Sequence, residues 1–321
     1  MKQEVCEVQS PGLLTTVQDL GRFGYQQYGI VTAGAMDSYA LQVGNLLVGN
    51  EREEAGLEVT VMGPKLNWLT DAVIAITGAN LSPMIDGREV PMWKSIWVRK
   101  GQRLSFGKPV DGARAYVTIA GGVDVPEVVS SKSTYLKASL GGFFGRELQR
   151  GDIISRTSPT VEINHVGKTI HSDLVPKYAE TEAIRVILGP DEASFSRDGL
   201  DTFLGSTYTV SPQADRMGYR LSGPKIDHVV GADLLSDAIV PGTIQVPANG
   251  QPIVLLADRQ TTGGYTRIAT VISVDLPYIS QLLPGQQVRF QTVSVEQAQT
   301  ACSHQQLTLR RLKMAVDGIK R

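Results

Sequence analysis

An internal echo in the order of turns constrains this chain more than any other feature. Pro11-Gly12 near the start of the first half is answered by Gly189-Pro190 near the start of the second. Met62-Gly63-Pro64-Lys65-Leu66 is answered by Ser222-Gly223-Pro224-Lys225-Ile226, and the apolar run at Ile74 by the run at Ile253. Gly101-Gln102-Arg103-Leu104-Ser105-Phe106 then meets Gly285-Gln286-Gln287-Val288-Arg289-Phe290. Each pair alone is common turn chemistry, but four in the same order indicate a duplicated unit. Two domains are expected, 1–165 and 166–321, since 321 residues suffice for two cores at roughly 100–200 residues per domain. Thr157–Glu182 between them, with Pro159, Gly167, Pro176 and several charges, reads as an irregular linker or edge strand.

The units are predicted to be mainly β. Val73–Thr77, Tyr116–Ala120, Arg185–Leu188, Ile253–Ala257 and Ile268–Ser273 are short β-branched runs bounded by turn residues. In Gln102–Phe106, Leu104 and Phe106 share one face, Arg103 and Ser105 the other. Helix is the minority. Ser38–Val48 has the helical spacing, with Asp37 or Ser38 as cap, a second helix is expected at Val295–His304, and Asp191–Phe195 reads as one helical turn.

Charge narrows the partners. Lys and Arg number 31 against 32 Asp and Glu, so neither nucleic acid nor an anionic membrane finds the clustered basic surface it needs. No apolar run approaches the roughly 20 residues that span a bilayer, and Met1–Pro11 lacks a basic stretch followed by an apolar one. Cys6 and Cys302 are too few for a disulfide framework or a thiolate metal site. A cytoplasmic location is expected.

Familiar chemical motifs are absent. Gly101 and Gly107-Lys108 are separated by five residues and followed by Pro109, which is not a phosphate loop, and no dinucleotide fingerprint or nucleophile elbow occurs. His165, His171, His228 and His304 show no metal-ligand spacing, so no metal site is expected. Leu312-Lys313-Met314 has a faint likeness to a biotin-attachment site, but only seven residues follow Met314. A solvated tail without covalently attached biotin is expected.

Three polar loops carry the candidate site, because loops on β scaffolds commonly carry function. The first is Thr15–Arg22, containing Gln18, Asp19 and Arg22. The second is Asp215–Arg220, where Asp215 adjoins Arg216. The third is Asp258-Arg259-Gln260-Thr261-Thr262-Gly263-Gly264-Tyr265. Gly263-Gly264 would let backbone approach a ligand, while Asp258 and Gln260 could fix amide or urea-like groups. The competing reading of each loop is a structural turn held by Asx or Thr side chains.

At these loops the chain resembles the allophanate hydrolase subunit 2, or biotin-dependent carboxyltransferase-like, family. The resemblance runs from about Ser10 to Phe290. It is carried by Ser10–Arg22, Gly34–Asp37, Gly56–Glu58, Ile76–Ala79, Ile119–Asp124, Asp215–Gly218, Gly242–Pro247 and Asp258–Tyr265. Asp237 stands where the family usually has glutamate, one methylene shorter. The resemblance implies two tandem cyclophilin-like β-barrel domains with a few short helices. It also implies a partner like KipI, the B subunit of 5-oxoprolinase, together with the A subunit of that enzyme. Among the family's branches, the one holding the 5-oxoprolinase C subunit, or KipI antagonist, is the most similar. That implies an assembly that uses ATP, with Mg2+, to open 5-oxoproline to glutamate. In that reading Asp215, Arg216, Asp258 and Arg22 are catalytic, while Gln18, Asp19, Gln260, Thr261, Thr262, Gly263, Gly264 and Tyr265 bind a small amide or lactam. Arg216 and Arg22 would stabilise charge on oxygen, and Asp215 and Asp258 would orient the amide or a metal-bound nucleotide. The alternatives are a regulatory KipI-antagonist binding protein without catalysis, and a component of an allophanate- or urea-related amide hydrolase or carboxyltransferase. Prolyl isomerase activity would rest on fold analogy alone.

Overall fold

The computed structural model describes residues 3–158, 163–180 and 183–318. Two compact units emerge: Met1–Arg22 with Ala33–Ala179 and Leu307–Arg321, and Phe23–Thr32 with Glu180–Gln306. Both are assembled from discontinuous segments, and the division expected at residue 165 falls inside the first.

In the first unit, a six-stranded and a five-stranded sheet share one core. The Ala72–Asn80 strand shows how the sequence achieves this: Ile74 and Ile76 point into the inter-sheet core with Leu57, Trp68 and Leu104. Val73 and Ala75 point the other way, against the Ser38–Leu47 helix, so the strand is apolar on both faces. That helix begins where expected, its first turn capped by Asp37 Oδ1 accepting from the Ala40 N–H at 2.9 Å.

The second unit is built on an eight-stranded sheet. Its order is Gln287–Val288, Tyr208–Val210, Gly218–Ser222, Ile253–Leu255, Thr243–Gln245, Arg267–Val271, Ile184–Leu188 and Phe290–Thr292. The two strands at opposite ends of that order are neighbours in the chain, separated only by Arg289, so the sheet curls into a nearly closed barrel. Phe203, Tyr208 and Phe290 are buried together, with the Phe203 and Phe290 rings 4.9 Å apart.

The duplicated turns match bond for bond. Gly101 N–H donates to Trp68 O, and Gly285 N–H to Val210 O. Gln102 and Gln286 each return a side-chain oxygen to the turn, accepting from Arg99 N–H at 2.9 Å and Leu283 N–H at 2.7 Å.

The Thr157–Glu182 segment lies partly outside the described residues, and its described part is irregular, with short helical turns at Ile163–His165, Ser172–Leu174 and Tyr178–Glu180, yet it is anchored at a few points. Ile170 and Tyr178 are buried, and the Tyr178 hydroxyl donates to Asp37 Oδ2. Helices at Arg197–Gly205 and Leu276–Ser280 were not foreseen. The expected solvated tail is helix: Val295–Asp317 runs as one element. Its Leu309 and Leu312 join the cluster under the Ser38–Leu47 helix, a partner that sequence spacing alone cannot reveal. No helix among the described residues is long and apolar enough to cross a membrane.

Burial also fixes the response to alkali. Cys6 sits in the inter-sheet core, where burial pushes its thiol from 9.0 up to about 12. Burial, then the Glu58 and Asp37 carboxylates, raise the Tyr116 hydroxyl well above 10. Both groups keep their protons in the native state where the unfolded chain loses them. The Cys6 contribution is complete below pH 9 and erodes as pH rises toward 12, and the Tyr116 contribution begins to erode only above pH 10, each by about 1.4 kcal/mol per pH unit. Urea unfolding between pH 8 and 11 should show this slope, and Cys6→Ala should flatten it whatever its effect at pH 8.

Candidate functional site

In the first unit, the Thr15–Arg22 loop organises a second loop more than 100 residues away. Asp19 Oδ1 accepts from Gly21 N–H at 2.8 Å and from the Ser131 and Ser133 hydroxyls, while Oδ2 accepts from Lys132 N–H at 2.6 Å. Gln18, fully buried, donates through Nε2 to Thr16 Oγ1 at 3.0 Å and to Thr134 O at 3.1 Å. Arg22 is fully buried as well. Its Nε donates to Val128 O at 3.2 Å and its Nη2 to Ser133 O. The three expected residues are therefore brought together, with their polar atoms spent largely on the 128–134 segment.

A glycine-rich turn that the sequence reading did not single out, Ser139–Gly145, closes over this arrangement. A Cβ on Gly141 would stand well under 3.0 Å from both Arg22 Nη2 and Ser133 O, closer than real Cβ atoms come. Val129, Ser130, Ser139 and Phe144 all hold positive φ, a conformation costing about 1–3 kcal/mol apiece. Beside them lies a cavity of about 460 Å3, walled by Val125, Val128, Leu140, Phe143 and Phe144 with Asp124 at its edge.

The motifs at Gly34–Asp37 and Gly56–Glu58 meet in a buried chain of hydrogen bonds. Glu58 Oε2 accepts from Met36 N–H at 2.9 Å and from the Tyr116 hydroxyl at 2.7 Å, and that hydroxyl accepts from Asp37 N–H at 2.7 Å. These residues fix where the Ser38–Leu47 helix starts.

In the second unit, Arg216 and Asp258 form a bidentate pair, Nε to Oδ2 and Nη2 to Oδ1, each 3.0 Å. Both are buried, and Asp258 N–H also donates to Arg216 O, tying the second and third loops together. Asp215 keeps to the loop surface, its Oδ1 closing a turn by accepting from Met217 and Gly218 N–H. Gln260 is exposed, and Thr261 and Thr262 are half-buried to exposed.

Half of the expected third loop is strand. Thr262–Tyr265 pairs with Asp233–Ala238 in a two-stranded ribbon. A Cβ on Gly263 would lie 2.6 Å from Gln245 Nε2, so the close approach this glycine permits is to the protein's own side chain. Asp237, despite its shorter reach, meets Arg267 Nη1 at 2.8 Å. Arg259, which sequence reasoning passed over, is 4% exposed. Burial lowers its pKa from 12.5 to about 10.

The family model described as the carboxyltransferase domain, subdomain A and B, matches residues 28–292, the greater part of both units. The chain belongs to that carboxyltransferase family. Within it, the chain is 40% identical over 299 residues to the Escherichia coli protein named as the C subunit of 5-oxoprolinase, covering 92% of this chain and 93% of that one. The Haemophilus influenzae protein of the same name is 34% identical over 302 residues, covering 94% and 96%. Among solved structures, the K. lactis urea amidolyase superposes with a TM-score of 0.91 at 30% identity. That match covers 97% of this chain but 20% of the amidolyase. The two-barrel carboxyltransferase fold expected from the resemblance is thus the fold found.

Proposed function

We propose that this chain is the C subunit of an ATP-dependent 5-oxoprolinase, working in the cytoplasm with a KipI-like B subunit as well as an A subunit. One observation carries the reading: the 40% identity to a protein of that name extends over 92% of this chain and 93% of that one. The amidolyase likeness, by contrast, involves one fifth of a much longer protein.

The reaction consumes 5-oxoproline, ATP and water and yields glutamate, ADP and phosphate. A lactam resists water because its nitrogen donates electron density into the carbonyl. Transfer of the γ-phosphoryl group to the carbonyl oxygen removes that resistance. One water then adds to the carbon and the ring C–N bond breaks, freeing the amine and leaving an acyl phosphate, which a second water hydrolyses to the carboxylate and phosphate. Such steps depend on fixed donors aimed at oxygen, more than on a strong nucleophile. ATP and Mg2+ belong in this reading to the assembled complex. Among the described residues no three His, Cys, Asp or Glu side chains gather as metal ligands, and no step is assigned to Mg2+ on this chain.

Within that scheme the buried residues position and the exposed ones contact substrate. Arg216 with Asp258 holds the second and third loops in register, leaving Asp215, Gln260, Thr261 and Thr262 to meet an amide. Gln18, Asp19 and Arg22 hold the 128–134 segment.

The test is reconstitution. The chain mixed with its A and B counterparts should release glutamate and phosphate in equal amounts, and omitting any one component should abolish turnover. Tight binding to the KipI-like counterpart without turnover in the full mixture would overturn the enzymatic reading in favour of a regulatory one.

A further inference from the structure

Arg259 brings a positive charge into the second unit without meeting a negative one among the described residues. Its Nε points to Ile239 O at 3.4 Å and its Nη1 to Leu256 O at 3.3 Å, both long for hydrogen bonds. Nη2 makes none among the described residues. The adjacent carboxylate, Asp258, has both oxygens engaged by Arg216. A buried cation whose counter-charge is missing is costly to keep, and replacing it with an apolar residue is often neutral or stabilising. Arg216 shows the stable alternative on the neighbouring loop, a guanidinium closed by its own carboxylate.

The neighbours along the chain point the same way. Gln260, Thr261 and Thr262 follow directly, and their side chains make no hydrogen bond among the described residues. One cation and three open donors on consecutive residues suit a ligand bearing negatively charged oxygen. Gln245, almost fully buried, underlies this stretch and reaches Tyr265 O at 3.3 Å.

We propose that Arg259 is the cationic centre of an oxyanion-binding subsite in the second unit, taking a carboxylate or phosphate oxygen of a small molecule. Gln260, Thr261 and Thr262, next along the chain, supply neutral donors. The subsite stands on the geometry of this chain and does not depend on the 5-oxoprolinase reading.

The experiment uses the full chain alone. Titration calorimetry and thermal unfolding are run with inorganic phosphate in one arm and 5-oxoproline in the other, at constant ionic strength against chloride. Wild type should bind one of the two oxyanions and melt higher in its presence; the responding arm identifies phosphate or carboxylate as the source. Arg259→Met should weaken that binding at least tenfold while melting no lower than wild type without ligand, and Arg259→Lys should retain part of the affinity. The proposal is overturned if wild type responds to neither oxyanion, or if Arg259→Met binds unchanged. It is overturned equally if Arg259→Met melts several degrees lower without ligand, because the guanidinium would then be a structural tie to the two carbonyls. Failure of the reconstituted assay would leave these outcomes standing, so the two readings fail separately.

Discussion

Asp258→Ala should destabilise the full-length chain by about 3–5 kcal/mol, one of the two largest effects expected of a single substitution in this protein. Arg216 and Asp258 side chains are 5% and 7% exposed, and each guanidinium–carboxylate contact is 3.0 Å. Removing the carboxylate takes the Asp258 counter-charge from Arg216 in a site that water barely reaches, and the cost lies more in that lost charge compensation than in the lost bond. The double variant Arg216→Met with Asp258→Leu should therefore recover most of the loss, which urea unfolding of the three proteins would measure. Stability and function then separate. In the reconstituted enzyme the double variant, though stable, should lose lactam-dependent ATPase activity, because the two loops tied by this pair are no longer held in register. Unchanged activity would remove both residues from the site.

The fold was legible wherever a residue's role depends on its neighbours in sequence. Strands such as Ala72–Asn80 announce themselves by β-branched residues between turns, and Asp37 caps the helix that begins beside it. The Gly101-Gln102 and Gly285-Gln286 turns were legible because each closes on itself, Gln side chain to local N–H. What stayed hidden depends on distant partners. Leu309 and Leu312 look like part of a polar tail until the Ser38–Leu47 helix is beside them. Asp19, Arg216 and Asp258 could be picked out by type, but not Asp19's dependence on Ser131 and Ser133 or the mutual burial of the other two. Arg259 was invisible for a subtler reason. A sequence displays an arginine between Asp258 and Gln260, and only coordinates reveal which of the two arginines near Asp258 receives the carboxylate.

The Ser139–Gly145 turn supplies the second large effect. Gly141→Ala places a methyl group well under 3.0 Å from Arg22 Nη2 and from the Ser133 carbonyl oxygen, at φ +68°. Arg22 cannot swing aside, since it is fully buried and bonded to Val128 O and Ser133 O, and the Ser133 contact is with backbone. The left-handed conformation alone costs alanine roughly 1–2 kcal/mol, and overpacking adds typically 1–3 kcal/mol, so a total of about 2–5 kcal/mol is expected. Gly151→Ala is the matched control: its φ is +89°, and a Cβ there meets nothing within 4 Å. It should therefore lose only the conformational part. Urea unfolding of both variants isolates the packing contribution as their difference, and equal losses would mean that the turn is not seated on Arg22. If the difference appears, the turn, Arg22 and the 128–134 segment form one rigid wall, and the positive φ at Val129 is held in place by that wall rather than by either loop alone.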